Sequence, residues 1–145
     1  MRIGIATTKA IAEVNQIPVI SCTSLEALSY NTNSNTICSL IDARNNQVYC
    51  GIFDNNHQLI KDYMADDINV IIENLPNDNI TFVGDGAVLH ENLLNGNFIS
   101  DNNIHAANVG ICGYNKYKKG ISETADIIVP MYLRKSQAER MKELK

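Results

Sequence analysis

The sequence predicts a mixed α/β (α+β) chain, on three observations. A period-two pattern flanks a tight Asn-rich turn at residues 44–47. A third short apolar segment follows at 58–63. A helical pattern then precedes a fourth apolar run, 80–83, that ends in Gly-Asp-Gly. A meander followed by a helical crossover is the economical way to arrange such pieces. At 145 residues, with 45% hydrophobic content, the chain can bury a core without staples.

The elements follow in order. Residues Arg2 to about Gln16 read as a helix, because Ile3, Thr7, Ala10, Ile11 and Val14 share one stripe. The opposite side carries Gly4, Thr8 and Ala12, small residues that let another backbone approach closely. Only Met1 precedes this helix, so no side chain caps its first turn. Ile17 to Ser21 reads as a short buried strand. Ser24 is the expected N-cap of a helix from Leu25 to Tyr30, and 31–35 is a polar loop.

Thr36–Ala43 reads as a strand, Arg44–Gln47 as a turn, and Gln47–Phe53 as the returning strand. Asparagine tolerates the positive φ that such turns need. Asp54–His57 is a second turn and Gln58–Tyr63 a third strand. Asp66–Leu75 reads as a helix with Ile68, Ile71, Ile72 and Leu75 on one face, ended by Pro76. Ile80–Val83 is a fourth strand, and Ala87–Leu94 and Ala106–Lys119 read as helices, the second closed by Gly120. The tail Ile127–Arg134 reads as extended, and polar Ser136–Leu144 is compatible with a helix. The order strand–strand–strand–helix–strand–helix is that of a ribonuclease-H-like lobe, which by itself does not name a function.

Composition excludes several classes. Twelve basic residues against 16 acidic give a net charge of −4, and there is no Trp. Neither a basic face nor an aromatic platform for nucleic acid is expected. No apolar run approaches about 18 residues, so no membrane span is expected, and the N-terminus does not read as a signal peptide. Cys22, Cys38, Cys50 and Cys112 include no C-x-x-C pair, which removes the zinc and thioredoxin readings by spacing. They read as small buried hydrophobes of a reducing compartment, with Cys38 and Cys50 close enough across a hairpin to leave a disulfide open.

The motifs each admit a structural and a chemical reading. Gly84–Asp85–Gly86 after a strand suits a strand-to-helix turn; as a phosphate loop it lacks G-x-G-x-x-G, and Asp85 repels anions. Asp42 and Arg44 suit a turn, and a carboxylate–guanidinium pair is the chemical alternative. Asp42, Asp54, Asp85 and Asp126 would have to converge to hold metals as a hydrolase does. His57, His90 and His105 form no H-x-x-x-H pair and read as exposed or capping residues. Lys116, Lys118 and Lys119 complement a helix C-terminus.

Five blocks resemble the TsaB (YeaZ) family, in family order. They are Arg2–Ala10, Ile17–Pro18–Val19 with Ser24–Leu28, Ile41–Arg44 through Val48–Tyr49, Val83–Ala87, and Val129–Arg134. Gln47 stands where the family usually has Glu. The resemblance implies a lobe of the actin-like ATPase superfold and a cytoplasmic, non-catalytic scaffold without cofactor or metal. That scaffold serves threonylcarbamoyl modification of the tRNA adenosine beside the anticodon. It implies pairing with a TsaD-like catalytic subunit, a TsaE-like ATPase as third component, a homodimer, and only indirect contact with tRNA. Older labels of the family read glycoprotease or peptidase M22-like.

The resemblance further implies an interface at Ile3, Gly4, Thr7, Thr8, Ile11 and Ala12. It implies structural motif roles for Asp42, Arg44, Tyr49, Gly84, Asp85, Gly86, Tyr132 and Arg134. Family members carry a further lobe ahead of the position of Met1. Residues 1–35 are then expected to be a remnant of that lobe, and 36–145 the C-terminal lobe with its tail. The competing expectations are a metal-dependent hydrolase using carboxylates and a small standalone binding module.

Overall fold

The computed structural model describes residues 2–133. Its five-stranded sheet has the order β3-β2-β1-β4-β5. β1 (Thr36–Asp42) pairs antiparallel with β2 (Gln47–Asp54), which pairs antiparallel with β3 (Leu59–Asp67). On its other side β1 pairs parallel with β4 (Ile80–Val83), which pairs parallel with β5 (Asn97–Phe98). The meander and the crossover are therefore both present, and the arrangement is that of a ribonuclease-H-like lobe.

The period of two sorts the core into two layers. Cys38 and Leu40 of β1, Val48, Cys50 and Ile52 of β2, and Ile80 and Phe82 of β4 share one cluster. Ile68 and Ile71 of α3 (Ile68–Glu73) cover it, together with Ala87 and Leu94. The intervening residues Ile37, Phe53 and Val83 point the other way, under Leu25 and Leu28 of α2 (Ser24–Ser29). A strand covered on both faces is mostly apolar, and the first five residues of β1 are all buried, the polar Thr36 and Ser39 among them. β3, by contrast, is an exposed edge whose Lys61 and Asp62 discourage further pairing.

Local chemistry sets the boundaries where they differ from the sequence reading. α2 is capped by Thr23, one residue before the expected Ser24. Thr23 Oγ1 accepts the Glu26 N–H at 3.1 Å, and Glu26 Oε2 accepts the Thr23 N–H at 2.7 Å, a reciprocal capping box. β3 runs four residues past Tyr63 because Met64 to Asp67 continue to pair with β2. α3 consequently starts late, where the Asp67 side chain accepts the Asn69 N–H at 2.9 Å. The helix expected over 87–94 divides into α4 (Asp85–Leu89) and a 3₁₀ turn at Glu91–Leu93, broken where His90 leaves helical geometry.

The segment from Ile17 to Ser21 is not a strand. It makes one isolated bridge, Val19 with Glu123. β5 is missing from the sequence reading because two residues show no period; Phe98 stacks on Phe82 with centroids 5.4 Å apart. α5 (Ala106–Lys118) forms where the helix is expected, and it packs against α2. Residues 128–133 join no strand, and Arg134 and the expected helix at 136–144 lie outside the described residues. No helix among the described residues is long and apolar enough to cross a membrane.

The β4–α4 turn is the tightest point. Gly84 has φ +109°, and a Cβ there would lie 2.1 Å from the Leu40 carbonyl oxygen. Gly84→Ala therefore combines backbone strain with an immovable clash, and should lower unfolding free energy by about 3 kcal/mol or more. Gly113, inside α5 with open space around it, is the opposite case: Gly113→Ala should raise stability by about 1 kcal/mol. Removing the α2 cap with Thr23→Ala should cost about 1 kcal/mol. Urea midpoints of the three variants test all three signs at once.

Candidate functional site

α1 (Arg2–Asn15) touches the rest of the chain along a narrow line. Ala12 is 3% exposed and packs with Val19, Ala125 and Ile128, with Ile5 beside them. Lys9 Nζ donates to the carbonyls of Asp126 at 3.0 Å and Ile128 at 3.1 Å. Positions 5, 9 and 12 thus form the inward edge. The Val19–Glu123 bridge brings the 123–128 segment to this edge, and only a small residue at 12 lets it come so near.

The apolar stripe read from the sequence faces outward. Ile3 and Val14 are 84% and 83% exposed, Ile11 is 55% exposed, and Thr7 and Ala10 are exposed between them. The hydroxyls of Thr7 and Thr8 donate back to the carbonyls of Ile3 and Gly4, both at 3.0 Å, so their methyl groups add to the surface. A Cβ on Gly4 would meet nothing within 4 Å. Of the six interface candidates, Ile3, Gly4, Thr7, Thr8 and Ile11 share this open surface. Ala12 does not: it is an inward residue, and its expected place at the interface is corrected accordingly.

The motif residues gather at the end of β1. Asp85 Oδ1 accepts the Asp42 N–H at 3.0 Å, and Asp42 Oδ1 accepts the Arg44 N–H at 2.8 Å. Arg44, Asn45 and Asn46 all have positive φ, between 53° and 63°. Arg44 therefore meets Asp42 through its backbone, in a turn, rather than through its guanidinium. Gly86 also lies close against β1, its Cβ position 3.0 Å from the Leu40 carbonyl carbon. The Gly84 N–H is spent on Asn102 Oδ1 at 2.8 Å. This turn offers an anion neither a free glycine amide at Gly84 nor a neutral surround. Tyr49, opposite Ile41 on β2, packs beside Phe53 and Leu28. Tyr132 is 58% exposed.

Of the carboxylates considered for a metal site, Asp42 and Asp85 meet at the end of β1, but the four do not come together, and no group of three of them forms among the described residues. Asp54 accepts the N–H groups of Asn56 and Gln58 in its own turn, Asp85 serves β1, and Asp126 lies beside α1. The histidines are equally scattered. His57 stacks on Tyr30 at 3.8 Å with its Nδ1 against Ser29 Oγ, and burial pushes its pKa down. His105 Nε2 pairs with Asp101 at 2.7 Å. His90, expected to be exposed or capping, ends α4 and opens the 3₁₀ turn, but it is buried rather than exposed, with no hydrogen-bond partner at Nε2.

A cluster missed by the sequence reading lies between α2 and α5. Lys116 Nζ pairs with Glu26 Oε1 at 2.7 Å and donates to the Ser21 carbonyl at 2.9 Å. Burial opposes the ammonium, but the Glu26 carboxylate outweighs it and holds the pKa of Lys116 above its usual value. Cys22 and Cys112 stand beside this pair. Hydrogen bonding to Cys112, then burial, pushes the Cys22 thiol far up; the same bond holds Cys112 down. A cavity of about 70 Å³ opens beside them, lined by Glu26, Tyr30, His57, Cys112 and Lys116. Ninety residues separate Cys22 from Cys112, so only the i, i+4 spacing of Cys22 and Glu26 could have hinted at it. All four cysteines are free thiols; Cys38 and Cys50 share a thiol hydrogen bond at 3.6 Å in the core and form no disulfide, and Cys22 is only half-buried.

With this geometry in hand, the likenesses to known proteins can be placed on it. The family model described as TsaD, tRNA N6-adenosine threonylcarbamoyltransferase, matches residues 1–142. The tRNA threonylcarbamoyladenosine biosynthesis protein TsaB of Bacillus subtilis (strain 168) is 29% identical over 157 residues, covering 96% of this chain. The chain spans 66% of that relative's length. Among solved structures, YeaZ from Pseudomonas aeruginosa superposes with a TM-score of 0.74 at 19% identity, over 90% of this chain and 67% of that one. A protein with similarity to peptidase YEAZ from Pseudomonas aeruginosa superposes with a TM-score of 0.78 at 20% identity, over 92% and 67%. These structures share the fold, and the family match runs through α1, the β1–β2 hairpin and the Gly84–Gly86 turn alike: the chain belongs to this family, among its TsaB/YeaZ proteins.

Proposed function

We propose that this chain is a non-catalytic interaction subunit in tRNA threonylcarbamoyladenosine biosynthesis, and that the open face of α1 is where it pairs with a TsaD-type catalytic subunit or with a second copy of itself. The observation that carries the proposal is the inverted amphipathy of α1. Its apolar stripe, Ile3, Thr7, Ala10, Ile11 and Val14, is turned to solvent, while its inward edge is the narrow line of Ile5, Lys9 and Ala12. A contiguous exposed apolar stripe flanked by small residues is what a helix-to-helix contact requires.

Family membership supports the biosynthetic role, since the Bacillus subtilis relative carries it in its name. The non-catalytic part rests on the chemistry present. The histidines occupy three separate places, and the carboxylates are engaged in turns and caps. A TsaE-type ATPase is the third partner on this reading, tRNA is met through the complex, and the setting is the cytoplasm. Residues 1–35 then carry the contact helix, and 36–145 the lobe and tail behind it.

Burying one isoleucine contributes about 1.5–3 kcal/mol. Ile11→Asp should therefore weaken the pairing about tenfold to a hundredfold, and Ile3→Asp with Ile11→Asp should abolish it. Thr8→Arg and Gly4→Leu, both at open positions, should weaken it without unfolding the chain. Size-exclusion chromatography with light scattering, on the chain alone and mixed with the TsaD-type subunit of the same source, reads the result. A wild-type chain that stays monomeric and ignores that subunit would overturn the proposal, as would a double variant that pairs like the wild type.

A further inference from the structure

We propose that Cys22, Glu26 and Cys112 form a binding site for one thiophilic divalent cation of the zinc class. The sulfur atoms and a carboxylate oxygen of these three residues lie within 4.8 Å of one another. Zinc bonds thiolates at about 2.3 Å and carboxylates at about 2.0–2.2 Å. Donors round one ion are thus closer together than 4.8 Å, and a modest inward shift brings them in. Cys22 can supply that shift, because it stands ahead of α2 rather than within a helix. Cys112 and Glu26 are fixed by α5 and α2, which pack on each other.

Donor type selects the metal. Two sulfurs exclude magnesium and calcium, which take oxygen, and favour zinc or its spectroscopic stand-in cobalt. Charge balance favours a dication in particular. Two thiolates and one carboxylate carry three negative charges, and Lys116, paired with Glu26, supplies one positive charge. A dication makes the group neutral, which a half-buried cluster requires. Binding exchanges the two thiol protons, released to solvent, for the metal.

The surroundings suit the ion. Glu26 is oriented from outside the cluster by the Thr23 N–H on one oxygen and Lys116 on the other. The adjoining cavity, about 70 Å³ and bordered by Glu26 and Cys112, gives an ion a way in and leaves room for water as a fourth ligand. The bound ion would tie the segment before α2 to α5.

The test is cobalt(II) titration of the reduced, metal-free full chain, read as the near-ultraviolet thiolate-to-cobalt charge-transfer band. One equivalent should bind, and zinc should displace it. Cys22→Ser and Cys112→Ala should each weaken binding at least tenfold, while Cys38→Ala, in the separate core thiol pair, should leave the band intact. Should Cys112→Ala fail to fold by circular dichroism, Cys22→Ser, at a half-buried position, carries the test alone. Absence of the band overturns the proposal. So does a band that survives Cys22→Ser, or a Cys22–Cys112 disulfide in the isolated protein with no cobalt uptake after reduction.

Discussion

Every layer of this fold is referred to β1. It is the only strand of the sheet paired antiparallel on one side to a neighbour in sequence and parallel on the other to a strand reached by a crossover. Its even-numbered side chains hold one core and its odd-numbered side chains the other. Its C-terminal end then receives the β4–α4 turn, where two glycines approach within contact of its backbone and Asp85 accepts its last N–H. A side chain at either glycine would push α4 away from the sheet and remove the partner of Asp42. The Gly-Asp-Gly motif therefore answers to the geometry of β1, and its resemblance to a phosphate loop comes from a shared need for close backbone approach.

The parts legible in the sequence are those where local pattern and long-range packing agree. The β1–β2 hairpin is one: alternation, Asn-rich turn and burial all point the same way, and the turn residues do adopt positive φ. β4 is another, four apolar residues between breakers. The parts that escaped are set by pairings the local pattern does not encode. β3 continues past Tyr63 because β2 is there to pair with it. β5 exists because β4 offers an edge. Ile17 to Ser21 has strand composition but only Glu123 opposite it, so one bridge forms and no ladder.

The site is legible to a different degree. The periodicity of α1 picks out its apolar stripe, but Gly4 and Thr8, read on the opposite side with Ala12, lie on the open surface, and the pattern does not say which side the chain itself covers. The usual inference, apolar side inward, fails because the segment at 123–128 reaches only the small edge, anchored by Lys9 on two carbonyls. That is why Ala12 leaves the expected interface set while Ile3, Thr7 and Ile11 remain at the surface. A helix whose larger apolar side chains, Ile5 apart, stay exposed gains little from its own fold and is open to stabilisation from outside it. Fourteen residues are near the length at which an isolated helix is marginal in water.

The contacts between α2 and α5 show the complementary case, polar chemistry placed by packing alone. α5 buries one side chain, Cys112, in a helix that otherwise exposes Val109, Ile111, Tyr114 and Tyr117. Hydrophobic burial along α5 is therefore small, and its seating depends on directional bonds: Lys116 to Glu26 and Ser21, Asn108 to the Ala27 carbonyl, Asn115 to Tyr30. The Lys116–Glu26 pair is more than a surface ion pair, because Glu26 is already fixed by the capping box of α2 and loses little freedom in forming it. Removing the Glu26 side chain would break the reciprocal half of the capping box, take the carboxylate away from a half-buried ammonium, and leave Lys116 as the charge beside the two thiols. A single carboxylate thus couples the start of one helix, the seating of another and the electrostatics of the sulfur pair between them.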